Sequence, residues 1–439
     1  GVTLVVAGSA WSGHKPVLPN ADVPQVRLPL TKVVPTLDGT IADDEWAGAV
    51  RNAGLMTLRG GNLTSREAAF WLACDGTRLY LAVRSELPPD GQVLNRAVPN
   101  PRQDVTAAFA DDSLELVLDP KRGRREGDRR FYHIIVNGRL ALFDRSIDPD
   151  NPRNPQDLAW RLEGMELKHS AHDGWWDVEA AIPLAALGVT AADFATPWGL
   201  RICRNWRRPG EQSQWEANAP SYEDQPSMPL VQWDAAAPVV QVLSLQEGWQ
   251  RARLAVAVRN PHVALVAVRV HLADAWHFNP PTEREAVVTV PPGGVETTVL
   301  EAPDGGPAGP HRTVVRVASA DGATVYYQRE VRWTLHRPPA NERWSIGEES
   351  RKAVALGFKY YPYHNQVRLR VDLGSLPLRD KITGGSAEIR PQAAPAAEPL
   401  WRQALAFGGD VAEGTYAIPD LPDGTYRLTG NKIFISGGD

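Results

Sequence analysis

Short apolar runs broken by turn residues dominate the chain. Residues 68–86, "AAFWLACDGTRLYLAVRSE", hold two such runs around Asp75-Gly76 and predict strand, turn, strand. In "DSLELVLDP" Leu114, Leu116 and Leu118 alternate with Ser113, Glu115 and Val117, the period of a half-buried strand. "RRFYHIIVNGRLALFD" predicts a short hairpin around Asn137-Gly138. "GWWDVEAAIPLAALG" reads as a strand ending at Pro183 and then a short helical turn, and "PWGLRICRNW" reads as a further strand. Short strands at regular spacing predict an antiparallel β-sandwich over residues 28–234.

A boundary falls at Ala235 to Pro238. Beyond it, "RARLAVAVRN", "VALVAVRVHL", "AVVTVPPGG" and "RTVVRVASADGATVYYQREVRW" predict an immunoglobulin-like sandwich over 238–335. A second linker starts near Leu335. A third β unit over 344–439 carries "NQVRLRVDLGSL" and "GTYAIPDLPDGTYRLTG", and its last strand is truncated or terminal. Units two and three share a loose plan, which makes a weak internal repeat. The fold class is therefore all-β.

Composition supports this reading. A chain of 439 residues accommodates two to four domains, and 37 Gly with 37 Pro favour a loop-rich β protein. Trp (15) outnumbers Tyr (10) and Phe (9), a bias common where flat ligands stack. A net charge of −5 gives no electrostatic ground for a nucleic-acid partner. No stretch is long enough to span a bilayer as a helix. The opening "GVTLVVAGSAWSGHKP" reads as the end of a signal peptide with a small-residue cleavage site near Ala7–Ala10, so residues 1–27 are expected to be a leader and the protein secreted. The absent initiator Met suggests a fragment. Cys74 and Cys203 both sit in apolar runs, as two buried thiols or an inter-sheet disulfide.

Candidate chemistry is sparse. No G-x-S-x-G, Walker loop, H-E-x-x-H or Rossmann fingerprint occurs, and no segment reads as a barrel or large cleft. "PTLDGTIADDEWAGA" reads as a turn at Asp38-Gly39, a short helix capped by Asp43 or Asp44, and Trp46 packed on the sandwich. "KRGRREGDRR", Lys121 to Arg130, reads as a solvated hairpin tip. "FKYYPYHNQ" gathers four aromatics beside His364, as an aromatic sheet face or a second glycan surface.

Seven segments in order carry a resemblance: "LDGTIADDEWAGA", "CDGTRLYLAV", "DDSLELVLDP", "YHIIVNG", "WWDVEAAIPLAALG", "WGLRICRNW" and "SQWEANAP". Together residues 28–234 resemble the family 9 carbohydrate-binding modules. The resemblance implies a β-sandwich that binds sugars between two aromatic rings, usually attached to polysaccharide-degrading enzymes. On matching positions it implies Trp215 as the late ring and Phe109 as the early one, where the family usually has Trp. Glu115 matches a hydrogen-bonding Glu. Tyr132, with His133 beside it, stands where Arg is common. Arg204 and Asn205 are further polar candidates, and Cys203 stands where Gln can occur. Each has a structural alternative: Trp215 and Phe109 as core, Glu115 with a cross-strand partner, Arg204 in a salt bridge.

The resemblance also implies a structural Ca2+ in the first sandwich, without placing its ligands, and no other cofactor. The expectation is a secreted, non-catalytic protein binding oligo- or polysaccharide, with the later sandwiches as spacers toward a catalytic domain of a longer chain. Two rivals stand beside it. One is a structural surface protein without ligand. The other is a haem-binding electron carrier of the DOMON type, which would draw on Met56, Met165 or Met228 and His133, His169 or His172.

Overall fold

The computed structural model describes residues 23–58, 61–64, 66–88, 91–99, 110–122, 129–151, 153–208, 210–216, 219–247, 251–276, 281–302, 309–335, 355–361, 364–373, 385–391, 398–419, 426–430 and 433–436. The leader residues 1–22, Phe109, most of the 121–130 hairpin tip, the second linker and Tyr363 lie outside the described residues.

The protein is all-β. Up to residue 234 the strands are β1 (Gln25–Leu28), β2 (Val50–Ala53), β3 (Met56–Thr57), β4 (Ala68–Cys74), β5 (Arg78–Glu86), β6 (Ser113–Asp119), β7 (Phe131–Asn137), β8 (Leu142–Ile147), β9 (Gln156–Asp157), β10 (Glu166–His172), β11 (Trp175–Pro183), β12 (Trp198–Arg207), β13 (Gly210–Gln214) and β14 (Leu230–Trp233). Then come β15 (Val239–Glu247), β16 (Arg251–Arg259), β17 (Val266–Trp276), β18 (Thr282–Val290), β19 (Val295–Glu301), β20 (Gly309–Ser319) and β21 (Val325–Leu335). The last set is β22 (Ala355–Tyr361), β23 (Gln366–Asp372), β24 (Gly385–Pro391), β25 (Trp401–Leu405), β26 (Val411–Ala417), β27 (Tyr426–Gly430) and β28 (Ile433–Ser436).

The strands before and after Ala235–Pro238 continue the same two sheets. One sheet runs β18-β17-β20-β21-β1-β14-β12-β6-β7-β8-β9, the other β10-β11-β5-β4-β2-β15-β16-β19. The joins are β1 antiparallel to β21, with Val26 opposite Tyr327, and β2 parallel to β15, with Arg51 opposite Gln241. The apolar faces merge accordingly: Val26, Leu72 and Leu116 share one core with Val256, Val270 and Val315. Arg329, fully buried, donates to the carbonyls of Ala53 and Gly54 at 2.8 Å each and bolts β21 to the end of β2. The strands from β22 onward form two smaller sheets around a separate core of Val367, Leu369, Val371 and Ile389. Tyr361 and Lys359 reach Glu86 of β5 at 2.6 and 3.4 Å, so "FKYYPYHNQ" supplies contacts between sheets.

Local chemistry explains the turns. Asp75 Oδ1 accepts from the backbone of Thr77 and Arg78, and Gly76 adopts φ +92°, closing the β4–β5 hairpin. The Asn137-Gly138 hairpin departs from the two-residue expectation. β7 ends at Asn137 and β8 starts at Leu142, with Leu140 in the left-handed region. A Cβ on Gly138 would lie 2.7 Å from Val93, so this glycine serves a close approach between segments.

"PTLDGTIADDEWAGA" is clamped onto the outer face of β11. The amides of Asp38 and Gly39 donate to Glu179, Trp46 Nε1 donates to the other oxygen of the same carboxylate, and the amide of Ile41 donates to Asp177. Residues 43–48 form turns in place of the expected short helix. Trp46 is fully buried beside Trp71 and Tyr80. Of the segment's own acids, Asp38 accepts from the Thr40 amide in the turn, and Asp43 and Asp44 are exposed. Cys74 and Cys203 are both free and buried.

Candidate functional site

Alternation along β6, β7 and β12 sorts the predicted residues onto two faces. Leu114, Leu116 and Leu118 face the core, so Glu115 points outward. The register sets Cys203 opposite Glu115, Arg204 opposite Leu114 and Asn205 opposite Ser113. It sets Tyr132 opposite Leu118 and His133 opposite Val117. Glu115, His133 and Asn205 therefore share the outer face, while Tyr132 and Arg204 share the inner one.

The outer-face residues are bonded to one another. Asn205 Nδ2 donates to Glu115 Oε1 at 2.5 Å, and Asn205 Oδ1 accepts from Tyr222 at 3.1 Å and Gln212 at 3.3 Å. His133 Nε2 lies 2.6 Å from Glu115, and its Nδ1 lies 2.6 Å from Glu223. Arg145 on β8 donates to Glu223 and to Gln156. An imidazole with a carboxylate on each nitrogen donates twice only as the cation. Burial alone would push its pKa down, but the hydrogen bonds to Glu115 and Glu223 outweigh burial and raise it. For Glu223, burial pushes up, and the bonds and charges of His133 and Arg145 prevail and lower it. The Glu223 side chain remains 31% exposed and Arg145 12%, whereas Glu115 is 5% exposed, so the cluster opens to solvent at its Glu223 end.

Residues 219–229 lie across this face as a strap. Arg201, fully buried, donates to the carbonyls of Ser221 and Tyr222 and to Ser227 Oγ. The burial cost of that guanidinium is offset in part by the strap's acceptors and by Glu216 at 3.6 Å.

The other predicted residues are placed elsewhere. Trp215 is fully buried and packs edge-to-face on Phe70, with ring centroids 5.0 Å apart. The Trp215 amide bonds to the carbonyl of Ile202, which keeps the chain on the sheet and turns the ring into the core. Neither of its faces is open to a sugar. Tyr132 is buried, donates to the carbonyl of Leu187 at 2.9 Å and packs on Trp160. Arg204 is fully buried on the core side, bonded to Glu211 at 2.7 Å and to the carbonyls of Glu67 and Arg66. Phe109 lies outside the described residues. Of the six, Glu115 and Asn205 come together. His133, named from the sequence only beside Tyr132 and as a haem-ligand candidate, completes the cluster with Arg145, Tyr222 and Glu223, which were not selected. Period-two parity from Glu115 through the β6–β7–β8 hairpins was the available signal for His133 and Arg145.

Among the described residues no group of three or more His, Cys, Asp or Glu side chains is arranged to hold a metal ion. Glu115 and Glu223 sit on opposite edges of the imidazole and do not converge, so they do not make a calcium site. Both nitrogens of His133 are engaged, so neither is open to haem iron.

No protein-family model matches the chain, and no curated protein matches it in sequence. Among solved structures, it is similar to a candidate carbohydrate-binding protein from Bacteroides uniformis ATCC 8492, at 14% identity and TM-score 0.37, over 48% of this chain and 100% of that one. It is also similar to a family 9 carbohydrate-binding module from Caldicellulosiruptor kristjanssonii in complex with cellotriose, at 19% identity and TM-score 0.33, over 48% of this chain and 95% of that one. The same module in complex with glucose gives 19% identity and TM-score 0.33 over 48% and 97%. Likenesses at this level leave the functional reading to the geometry of the site.

Proposed function

We propose that the protein is a secreted, non-catalytic carbohydrate-binding protein whose polar floor is the outer face of β6, β7 and β12. The observation that supports this reading is the meeting of Glu115 and Asn205 in one network that surfaces at Glu223 and Arg145. Neighbouring sugar hydroxyls need a donor and an acceptor side by side. An Arg–carboxylate pair at the rim offers both, held rigid by His133 beneath. Oligo- or polysaccharide is the ligand class, and a catalytic domain of a longer chain is the partner. The later strands act as spacers.

One observation favours a ligand-free structural role instead. The floor groups already bond to each other, and Trp215 is spent in the core. A neutral-glycan array on the full chain separates the two. Binding that is lost in Glu223→Ala, with the folded signal intact, supports the sugar reading. Absence of binding by the unaltered chain leaves the structural role.

A further inference from the structure

The C-terminal unit, β22 to β28, meets the two-sheet body through a charged face. On β22, Phe358 packs toward the unit's own core, so Lys359 and Tyr361 share the opposite face. The register puts Arg368 of β23 directly across from Lys359. That face lies against the end of β5. One oxygen of Glu86 accepts from the Tyr361 hydroxyl at 2.6 Å. The other lies 3.4 Å from Lys359 Nζ and accepts the Glu67 amide at 2.8 Å. Arg368 stands 3.8 Å from the Glu67 carboxylate, and His364 Nε2 stands 3.4 Å from the carbonyl of Pro88. The bonds described between body and unit gather at this corner.

The contact has no apolar counterpart. Among the described residues, the core of the body takes no side chain from β22 onward, and the core around Val367 takes none from the body. Units joined without a large apolar interface move relative to one another by default. The Arg368–Glu67 pair is 33% and 58% exposed and holds little. The Glu86 side chain is 11% exposed, and hydrogen bonds to a desolvated carboxylate are the strong ones. Burial alone would push the Glu86 pKa up. Lys359, Tyr361, the Glu67 amide and Arg368 outweigh burial and lower it. Three of these four groups come from the C-terminal unit, so docking and the Glu86 charge support each other. Two further charges face the corner, Arg204 toward Glu86 and the Glu67 carboxylate toward Tyr361.

We propose that the C-terminal unit is an arm docked reversibly on the body through the Glu86 carboxylate, and freed when that charge is lost. A lowered pKa fixes the sign. The docking contribution is present above the ordinary value of 4.5 and is lost as pH falls through the lower docked value. The arm is therefore held at neutral pH and swings out in acid while each part keeps its own core. This inference is independent of the Glu115–Asn205 floor and does not rest on sugar binding.

The test combines carbodiimide cross-linking with small-angle X-ray scattering on the full chain. At neutral pH and low salt, peptide mass spectrometry should find a zero-length Lys359–Glu86 cross-link. The ratio of undocked to docked protein should rise roughly tenfold or more in Glu86→Gln and in Tyr361→Phe, and be seen as a larger radius of gyration. Acid should expand the unaltered chain but not the chain already cross-linked at Lys359–Glu86. Hydrogen exchange in β23 and β26 is the control for folding: amides that stay protected in the expanded samples mean that the unit has swung out intact. Tyr361→Phe removes one hydroxyl from the arm and leaves Glu86 and the body unaltered, so it stands as the second variant if Glu86→Gln misfolds. No Lys359–Glu86 cross-link, a radius unchanged in both variants and in acid, or expansion that always accompanies loss of protection in β23 and β26 overturns the proposal.

Discussion

At the residue scale, His133 and Trp215 show how neighbours decide a side chain's role. His133 is held between Glu115 and Glu223, so its folded pKa lies above 6.5. For a raised pKa the sign is fixed: the stabilisation is complete below the unfolded value of 6.5 and is lost as pH rises through the folded one. Stability should therefore decline as pH rises from 6.5 through the folded value, by about 1.5–3 kcal/mol, the range of hydrogen bonds to charged groups. Imidazole NMR titration should show His133 protonated above pH 6.5, and His133→Gln should remove that part of the stability profile. A His133 that titrates at or below 6.5 rules this out. Trp215 is the opposite case, a polar-flanked tryptophan that reads as exposed yet sits in the core. Trp215→Ala should cost about 3–5 kcal/mol in denaturant melts, the usual range for emptying an aromatic core site. A near-neutral result would place the ring outside the core.

At the element scale, local pattern made most strands readable. Leu114, Leu116 and Leu118 announce β6, and the Asp75-Gly76 turn announces the β4–β5 hairpin, because both signals lie within a few residues. Parity was also present in the sequence and says that adjacent Arg204 and Asn205 cannot both face one site. What the sequence did not display is the strap. Arg201 reads as one more strand residue until Ser221, Tyr222 and Ser227 fold over it. Nor does Trp215 show locally that Phe70, far back in the chain, awaits it. Asn137-Gly138 misled for a related reason, since a strong local motif fits a tight hairpin and here serves a contact with Val93. Gly138→Ala should destabilise by about 1–3 kcal/mol, as overpacking does, although no positive φ is lost. An unchanged melting temperature would mean that the 93 segment gives way freely.

At the scale of the whole molecule, the decisive pairings join strands far apart in sequence, Val26 with Tyr327 and Arg51 with Gln241. β1 lies between β14 and β21, and β2 between β4 and β15. Neither join has a local signal, because β1 and β2 look like ordinary short strands wherever they pair. A piece cut at Ala235 keeps every residue of the candidate floor but strips β21 from β1 and β15 from β2. It exposes two sheet edges and the core side chains Val26 and Val50, and it removes Arg329 from the carbonyls of Ala53 and Gly54. Open apolar edges recruit other chains. Residues 23–234 alone should therefore unfold at a clearly lower temperature than residues 23–335 and self-associate with rising concentration. The longer piece should melt in one transition, because two sheets and one core run through it. Differential scanning calorimetry with sedimentation decides the matter. Two well-separated transitions in 23–335, or a monomeric 23–234 of equal stability, would show that the shared sheets carry little energetic coupling. A single transition would mean that any sugar affinity measured on the short piece understates that of the intact protein, because the strap and floor would be resting on a weakened sheet.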